Sequence, residues 1–159
     1  GNGELIMGYL MKPCLWIVVL MFAGTQALHA ESFVGKVIRV IDGDTIVVLD
    51  STNGQHRVRL LGIDCPERKE PFYNRSKDAL AEMVMGKQVR VEWEKLDYWR
   101  RILGHVYVGK QWINYDMVAT GWAEHFRKYS KDQKLEAAEV DARQKRLGMW
   151  KDVVFHTSR

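Results

Sequence analysis

Apolar runs separated by polar turns occupy the chain from about residue 33 to residue 61. Two runs rich in β-branched residues, 33–41 and 45–50, flank an Asp-Gly pair at 42–43, which is a frequent hairpin turn. A further turn at 51–55 leads into a third run at 56–61. The pattern predicts a meander of three antiparallel strands.

The middle of the chain adds one helix and two strands. Apolar residues at helical spacing predict a helix over 74–85, and Gly86 is a common stop signal. Strict alternation then predicts a strand over 88–94, and a further apolar run covers 102–108. The helix therefore falls between the third and the fourth strand.

Two more helices follow the fifth strand. Asn114 is a suitable cap for a short helix over 115–120, and a periodic segment at 132–147 ends before Gly148. Five strands with a helix after the third is the element order of an OB-fold. We therefore predict an α+β domain over 31–159, built as a five-stranded OB-fold β-barrel with about three α-helices.

The first thirty residues have the composition of an export signal. Lys12 precedes an apolar run at 15–23, and small and polar residues follow up to Ala30. The run is shorter than the roughly 20 residues of a membrane span. We interpret 1–30 as an N-terminal extension and signal peptide that starts at Met7, with an uncleaved anchor as the alternative. We expect a secreted or periplasmic monomer without stable membrane association after cleavage.

Cysteine usage and charge narrow the classes of function. Cys14 falls within the apparent signal, which leaves Cys65 alone, so an exported domain has no partner for an internal disulfide. A single cysteine and scattered histidines also exclude an ordinary zinc site. The net charge of +4 and a pI of about 9.1 suit a polyanionic partner.

Acidic and arginine side chains stand at the ends of the predicted strands. Asp44 begins the second strand. Arg59 lies on the run that delivers Asp64 and Glu67. Carboxylate oxygens suit Ca²⁺ or Mg²⁺. With Arg101 before the fifth strand, the set supplies what phosphodiester cleavage needs: a cation, guanidinium groups for growing charge, and a carboxylate that orients or deprotonates water.

Each of these residues has an ordinary structural explanation when it is taken alone. An Asp-Gly pair in a hairpin is usually only a turn, and a lone arginine is usually a surface charge. Asp64 before Pro66 is a common way to end a strand. Their joint occurrence in this order is what favours a site.

Three segments, 40–45, 59–67 and 97–103, resemble the staphylococcal (micrococcal) nuclease-like family, also called thermonucleases. The resemblance extends from about Phe33 to Trp150. It implies an exported, Ca²⁺-dependent endonuclease that hydrolyses DNA and RNA and leaves 3′-phosphates.

The same resemblance assigns roles to individual residues. The ligands it implies for Ca²⁺ are Asp44, Asp64 and the backbone carbonyl of Cys65. The catalytic residues it implies are Arg59, Glu67 and Arg101, with the two arginines on the scissile phosphate and Glu67 as general base or water-positioning group.

The substrate-binding residues depart from the family pattern. Trp99 takes the place of a stacking aromatic, with a buried tryptophan as the alternative. Arg100 replaces a glycine and competes with Arg101 for the catalytic role. Tyr129 aligns with one wall tyrosine, whereas Arg127 replaces the other and is either a phosphate contact or a solvated charge.

Two other classes of function remain open from the sequence. The OB-fold barrel also occurs as a nucleic-acid-binding module without catalysis, and a structural or interaction protein of the envelope is a third class. Loss of the acids or arginines would favour the binding module, and none of them is lost here. Mature protein that binds neither Ca²⁺ nor a nucleotide bisphosphate would favour the envelope class.

Overall fold

The structure is a computed structural model that describes residues 31–152, so the predicted signal peptide lies outside the described residues. Its strands are β1 (Glu31–Asp42), β2 (Thr45–Asp50), β3 (Gln55–Leu60), β4 (Ile63–Asp64), β5 (Gln88–Leu96), β6 (Ile102–Val108), β7 (Gln111–Trp112) and β8 (Glu124–His125). Its helices are α1 (Tyr73–Val84), α2 (Ile113–Ala119), α3 (Gln133–Gln144) and a final 3₁₀ turn (Gly148–Asp152).

Five of the strands close into a barrel, which confirms the predicted OB-fold architecture. The strand β1 pairs with β2 on one side and with β5 on the other, and the pairs β1–β2, β2–β3, β1–β5 and β5–β6 are antiparallel. A parallel contact between β3 and β6 closes the circle, with Val58 opposite Ile102 and Leu60 opposite Gly104. The barrel therefore has no free edge between β3 and β6.

Alternate residues of the strands fill the barrel interior. Val37, Val48, Val58, Val91 and Val106 have no exposed surface, as the period of two predicts. The helix α1 contributes Leu80 and Val84 to the same core. Within residues 31–152, no helix is both long and apolar enough to cross a membrane.

The structure corrects two predicted element bounds. The segment from Leu60 to Ile63 is not one continuous strand, because the chain turns at Gly62, where φ is +80°. The last helix ends at Gln144 instead of residue 147, because Arg146 adopts a left-handed conformation with φ of 53°. The first break matters for the site, since it separates β3 from β4.

Asn114 has a different role from the helix cap that the sequence predicts. It lies inside α2 and is fully buried. Its Oδ1 accepts from the Val106 amide at 2.9 Å. Its Nδ2 donates to the Leu61 carbonyl at 2.9 Å and to the Gly104 carbonyl at 3.1 Å. The side chain therefore ties α2 to β6 and to the turn that leads into β4.

We expect Asn114→Ala to lower the free energy of unfolding by about 3 kcal/mol or more, because it leaves buried backbone groups without partners. Urea denaturation measures the change. The control is Asn74→Ala, an exposed site at the start of α1, for which we expect a change within about 0.5 kcal/mol. Equal losses for the two variants would contradict this role.

Candidate active site

Strand pairing brings Asp44 next to Arg59. In the β2–β3 ladder, Thr45 is opposite Arg59, and Asp44 immediately precedes Thr45. The Leu60 amide donates to the carbonyl of Asp44 at 2.8 Å, which extends the ladder by one residue. The two side chains therefore meet at the end of a hairpin whose register the buried valines fix.

Arg59 holds the strand ends together with its two terminal amino groups. Its Nη1 donates to the carbonyls of Leu60 at 2.7 Å and Ile63 at 2.8 Å. Its Nη2 lies 3.1 Å from Oδ2 of Asp44 and 3.2 Å from Oδ1 of Asp64. The side chain is only 12% exposed. A single buried guanidinium thus bridges both of the predicted metal ligands and fixes the turn between them.

Asp44 is a carboxylate in a strongly perturbed environment. Burial raises its pKa to about 7, and the charge of Asp42 acts in the same direction while Arg59 opposes it. Burial also raises the pKa of Asp64, whose side chain is half exposed. One guanidinium therefore pairs with two carboxylates, and a further positive charge would stabilise the ionised forms of both.

The role of Asp42 in this cluster is not predicted from the sequence. Its Oδ1 accepts from the Asp44 amide at 3.2 Å, and its charge acts on both Asp44 and Asp64. The Asp-Gly-Asp pattern contains the signal, but the turn explanation accounts for the first aspartate by itself. The site therefore carries one more acid than the sequence assigns to it.

The turn between β1 and β2 packs directly on the segment that carries Asp64. A Cβ on Gly43 would lie 2.0 Å from Oγ of Ser76 and 2.9 Å from Sγ of Cys65. Only glycine fits this close approach. Asp64 is held from the other side by the β4–β8 pair, in which it is opposite Glu124. The two predicted ligands therefore come from a locked turn and a short paired strand.

The donor set of this cluster fits a hard divalent cation. Asp44 and Asp64 supply carboxylate oxygens, and Asp42 adds charge beside them. Among the residues that the structure describes, no three His, Cys, Asp or Glu side chains form a complete metal cage. Ca²⁺ sites commonly complete their coordination with carbonyls, waters and substrate oxygens, so an open two-carboxylate site suits an ion that also contacts phosphate.

The raised pKa of Asp44 predicts a pH dependence of stability. In metal-free protein the folded state binds this proton more tightly than the unfolded chain, so the free energy of unfolding falls as pH rises from about 4 to about 7. We expect the wild-type protein in EGTA to lose roughly 1–4 kcal/mol more than Asp44→Asn between about pH 4 and pH 8. Urea denaturation at the two pH values measures the loss.

Two additions sharpen this pH experiment. Asp78→Asn removes an exposed acid on α1 and serves as the charge-matched control. Added Ca²⁺ is expected to stabilise the wild-type protein more at pH 8 than at pH 4, because the ion binds the ionised carboxylate. Identical pH profiles for the wild type and Asp44→Asn would contradict the proposed environment of Asp44.

Arg101 is positioned by Asp97, which the sequence analysis does not single out for this task. The Arg101 amide donates to Oδ1 of Asp97 at 2.8 Å, and its Nε donates to Oδ2 at 2.6 Å. Nε carries this contact, and within residues 31–152 no hydrogen bond from the terminal amino groups of Arg101 is found. Arg100 adopts a left-handed conformation with φ of 59° and is exposed. The backbone of Arg100 thus keeps the left-handed conformation that glycine favours, although arginine occupies the position.

The two arginines share a cavity of about 540 Å³ at the mouth of the barrel. Arg59 is opposite Leu103 in the β3–β6 contact, and Arg101 lies just before that strand. Both line the cavity together with Lys95. The predicted pair of guanidinium groups is therefore brought to one place by the parallel closure of the barrel.

Aromatic residues form the apolar part of the same cavity. Trp99 is 71% exposed, which answers the question of whether it is buried. Its ring lies 5.3 Å from the Arg101 guanidinium carbon. Tyr129 is 61% exposed and packs edge-on against Phe126 at 4.9 Å. Phe126 and Tyr129 also line the cavity, so both predicted aromatics reach it.

Glu67 lies beside the cluster on an exposed loop. Its amide donates to Oε2 of Glu70 at 2.6 Å, and the Glu70 amide donates to the Glu67 carbonyl at 2.9 Å. Within residues 31–152, no hydrogen bond or ion pair joins the Glu67 carboxylate to the arginines. Its role as the base stays a prediction, supported by its position three residues after Asp64.

Arg127 turns towards α3. Its Nη1 donates to Oε2 of Glu139 at 3.1 Å, and its Nε lies 3.6 Å from Oε1 of Glu136. Glu139 is almost fully buried and also accepts from the His125 amide at 3.0 Å. This buried carboxylate fixes the segment that leads to Tyr129. The phosphate contact of Arg127 stays a prediction, and the observed contacts are structural.

Several known proteins are similar in sequence to this chain. Residues 57–152 match the family described as staphylococcal nuclease homologue. An uncharacterized endonuclease of Haemophilus influenzae is 36% identical over 141 residues, which cover 89% of this chain and 79% of the relative. A similar endonuclease of Escherichia coli is 36% identical over 138 residues, with 86% and 90% coverage. A micrococcal nuclease of Shigella flexneri is 39% identical over 132 residues, with 76% and 75% coverage.

Proposed function

This chain belongs to the staphylococcal nuclease family and is an endonuclease, and from that premise we propose that it hydrolyses both DNA and RNA in a Ca²⁺-dependent reaction that leaves 3′-phosphates. The observation that carries the proposal is the bridging of Asp44 and Asp64 by one buried arginine, beside a cavity that Arg101 also lines. Surface charges seldom meet in such an arrangement, because burying them costs free energy.

Ca²⁺ would be held by Asp44, Asp64 and the backbone carbonyl of Cys65. The chemistry that the ion would supply there is neutralisation of phosphate charge. Cys65 is buried and burial raises the pKa of its thiol, so the thiol stays protonated and the carbonyl is the group it offers.

The arginines act on the phosphate. Arg101 lines the cavity while Asp97 holds its Nε, so little side-chain freedom is lost when a phosphate binds. Arg59 holds the two acids and stands beside the same cavity. Guanidinium groups hold the charge that grows on phosphoryl oxygens during attack.

Glu67 is the proposed group that orients or deprotonates water. Its loop follows Asp64 by two residues, Cys65 and Pro66, and its exposure leaves the carboxylate accessible to water. Arg68 and Lys69 follow on the same exposed loop and offer cationic contacts for phosphates of the substrate. We further propose that the enzyme acts outside the cytoplasm, on the strength of the segment 1–30, and that it is a monomer.

Digestion of nucleic acid tests this function. The full chain is incubated with plasmid DNA and with single-stranded RNA, in Ca²⁺ and in excess EGTA, and product ends are assayed for phosphate at the 3′ or 5′ position. We expect cleavage of both substrates with Ca²⁺, little with EGTA, and 3′-phosphate ends. Binding of both substrates without any cleavage would instead favour a non-catalytic binding module.

A further inference from the structure

A second cavity, of about 290 Å³, lies beside the segment that carries Asp64. It is formed by the loop that leads into α1, by β8 and by the final 3₁₀ turn. It shares no lining residue with the cavity of the two arginines. Three acids and three large apolar side chains line it: Asp64, Glu70, Glu124, Phe72, Met149 and Trp150.

The acids of this second cavity lack cationic partners. Asp64 pairs with Arg59 through one oxygen only. Within residues 31–152, neither Glu70 nor Glu124 forms an ion pair, and no lysine or arginine lines the cavity. Glu124 is opposite Asp64 in the β4–β8 pair, and opposite residues share a face, so two like charges are neighbours. A bound cation would offset this repulsion.

Aromatic rings supply the apolar walls of the cavity. Trp150 is 5% exposed and packs with Met149 and Phe72 in a small cluster apart from the barrel core. The guanidinium carbon of Arg143 lies 3.8 Å from the centroid of the Trp150 ring, and Arg143 also pairs with Glu139, which compensates its charge. Aromatic faces attract cations. Rings and carboxylates around one cavity are therefore suitable surroundings for an organic ammonium group.

The lining distinguishes between a metal ion, a nucleic acid and an amine. Within residues 31–152, no three His, Cys, Asp or Glu side chains converge to hold one metal ion, whereas a linear amine with several ammonium groups spans separated carboxylates. A nucleic-acid strand would bring phosphates close to three acids without a cation between them. The volume is at the lower end of ligand pockets, about 300–1,000 Å³, so the ligand is small.

We propose that this cavity binds a linear aliphatic polyamine. Its ammonium groups pair with the carboxylates of Asp64, Glu70 and Glu124. Its methylene chain lies between Phe72 and Trp150. The site goes beyond the proposed nuclease function, because amine binding requires neither a phosphodiester nor a cleavage step.

Calorimetric titration of the full chain in excess EGTA tests the site, at a constant ionic strength of about 0.1 M so that screening does not vary. The probes are spermidine, putrescine, n-butylamine and N-acetyl-lysinamide. Glu124→Gln removes one charge from β8, and Phe72→Leu removes a ring at unchanged net charge. The control is Glu82→Gln, which removes an exposed acid of α1 outside the cavity.

We expect one saturable site in the wild type, with binding that weakens from spermidine to putrescine to n-butylamine, because each lost ammonium group leaves a carboxylate without a partner. Spermidine binding is expected to weaken by about tenfold in Glu124→Gln and by about threefold or more in Phe72→Leu. Glu82→Gln should match the wild type. The loss in Phe72→Leu distinguishes a specific cavity from a general attraction of polyamines to acidic surfaces.

Three results would overturn the inference. These are no saturable binding of spermidine, equal spermidine binding by the wild type and both cavity variants, and n-butylamine or N-acetyl-lysinamide that binds as tightly as spermidine. Near-ultraviolet circular dichroism checks the fold of each variant, and the two substitutions lie on different elements, so either one alone decides. Since neither Ca²⁺ nor nucleic acid is present, the titration decides on the cavity whether or not the chain cleaves DNA or RNA.

Discussion

Arg101→Ala is expected to lower kcat by about 10³–10⁵, the range typical of an arginine that stabilises charge in phosphoryl transfer. The loss should fall on kcat more than on KM, because the guanidinium contacts are strongest when charge on the phosphoryl oxygens is greatest. Asp97 holds the side chain at Nε, so the terminal amino groups meet the phosphate in a fixed orientation. Steady-state kinetics on single-stranded DNA with saturating Ca²⁺ measures the change.

Arg100→Ala is the matched control for this variant. Arg100 is the neighbouring residue, carries the same charge, and is exposed on the outside of the turn. Both variants lose one positive charge at the same turn, so any general loss of electrostatic attraction is common to them. We expect kcat of Arg100→Ala to stay within about threefold of the wild type, since it loses only such a rim charge. Comparable losses of kcat for both variants would show that the phosphate is held by a different arginine.

Glu67→Gln is expected to lower kcat by about 10²–10⁴, the usual contribution of a general base. The substitution keeps the size of the side chain and removes its ability to accept a proton. Binding of Ca²⁺ and of an uncleaved nucleotide should change little, because Asp44, Asp64 and the arginines remain. The measurement combines kcat with a nucleotide Kd on the same preparation.

Glu82→Gln is the control for this second experiment, because it removes an exposed acid of α1 and changes net charge equally. Should Glu67→Gln raise KM while leaving kcat intact, Glu67 would be a substrate contact. A fall in kcat shared by both variants would point to net charge.

Short-range patterns in the sequence account for much of the barrel. The three apolar runs and the short turns between them predict a meander, and its register places Asp44 beside Arg59. Asp44 and Arg59 lie on consecutive strands that are joined by a short turn. Local sequence information is therefore sufficient to place them together. The break at Gly62 is not evident, because apolar residues on both sides continue the strand pattern.

Contacts between distant parts of the chain are beyond what such patterns reveal. Closure of β3 on β6 pairs residues more than forty positions apart and is what brings Arg101 to the cavity of Arg59. Asn114 looks like a helix cap in the sequence, but its three partners lie on other elements. Glu139 looks like a solvated helix charge until the buried amide of His125 and the arginines are seen around it.

Exposure of side chains is equally hard to predict from the sequence. From the sequence, Trp99 is equally well explained as a stacking aromatic or as a buried tryptophan. Only the turn that Asp97 closes places it outside the core. The sequence does not indicate that Tyr98 is exposed, although its side chain is more exposed than that of Trp99. Side-chain exposure depends on the three-dimensional course of the turn, which a list of residue types does not contain.

Calcium titration of the full chain by calorimetry, at about pH 8 where the Asp44 carboxylate is ionised, tests the central claim most directly. The account predicts one bound ion in the wild type and in the exposed control Asp78→Asn, and at least about tenfold weaker binding in Asp44→Asn and in Asp64→Asn. Calcium binding in Asp44→Asn and Asp64→Asn as tight as in the wild type would contradict a metal site at these two aspartates.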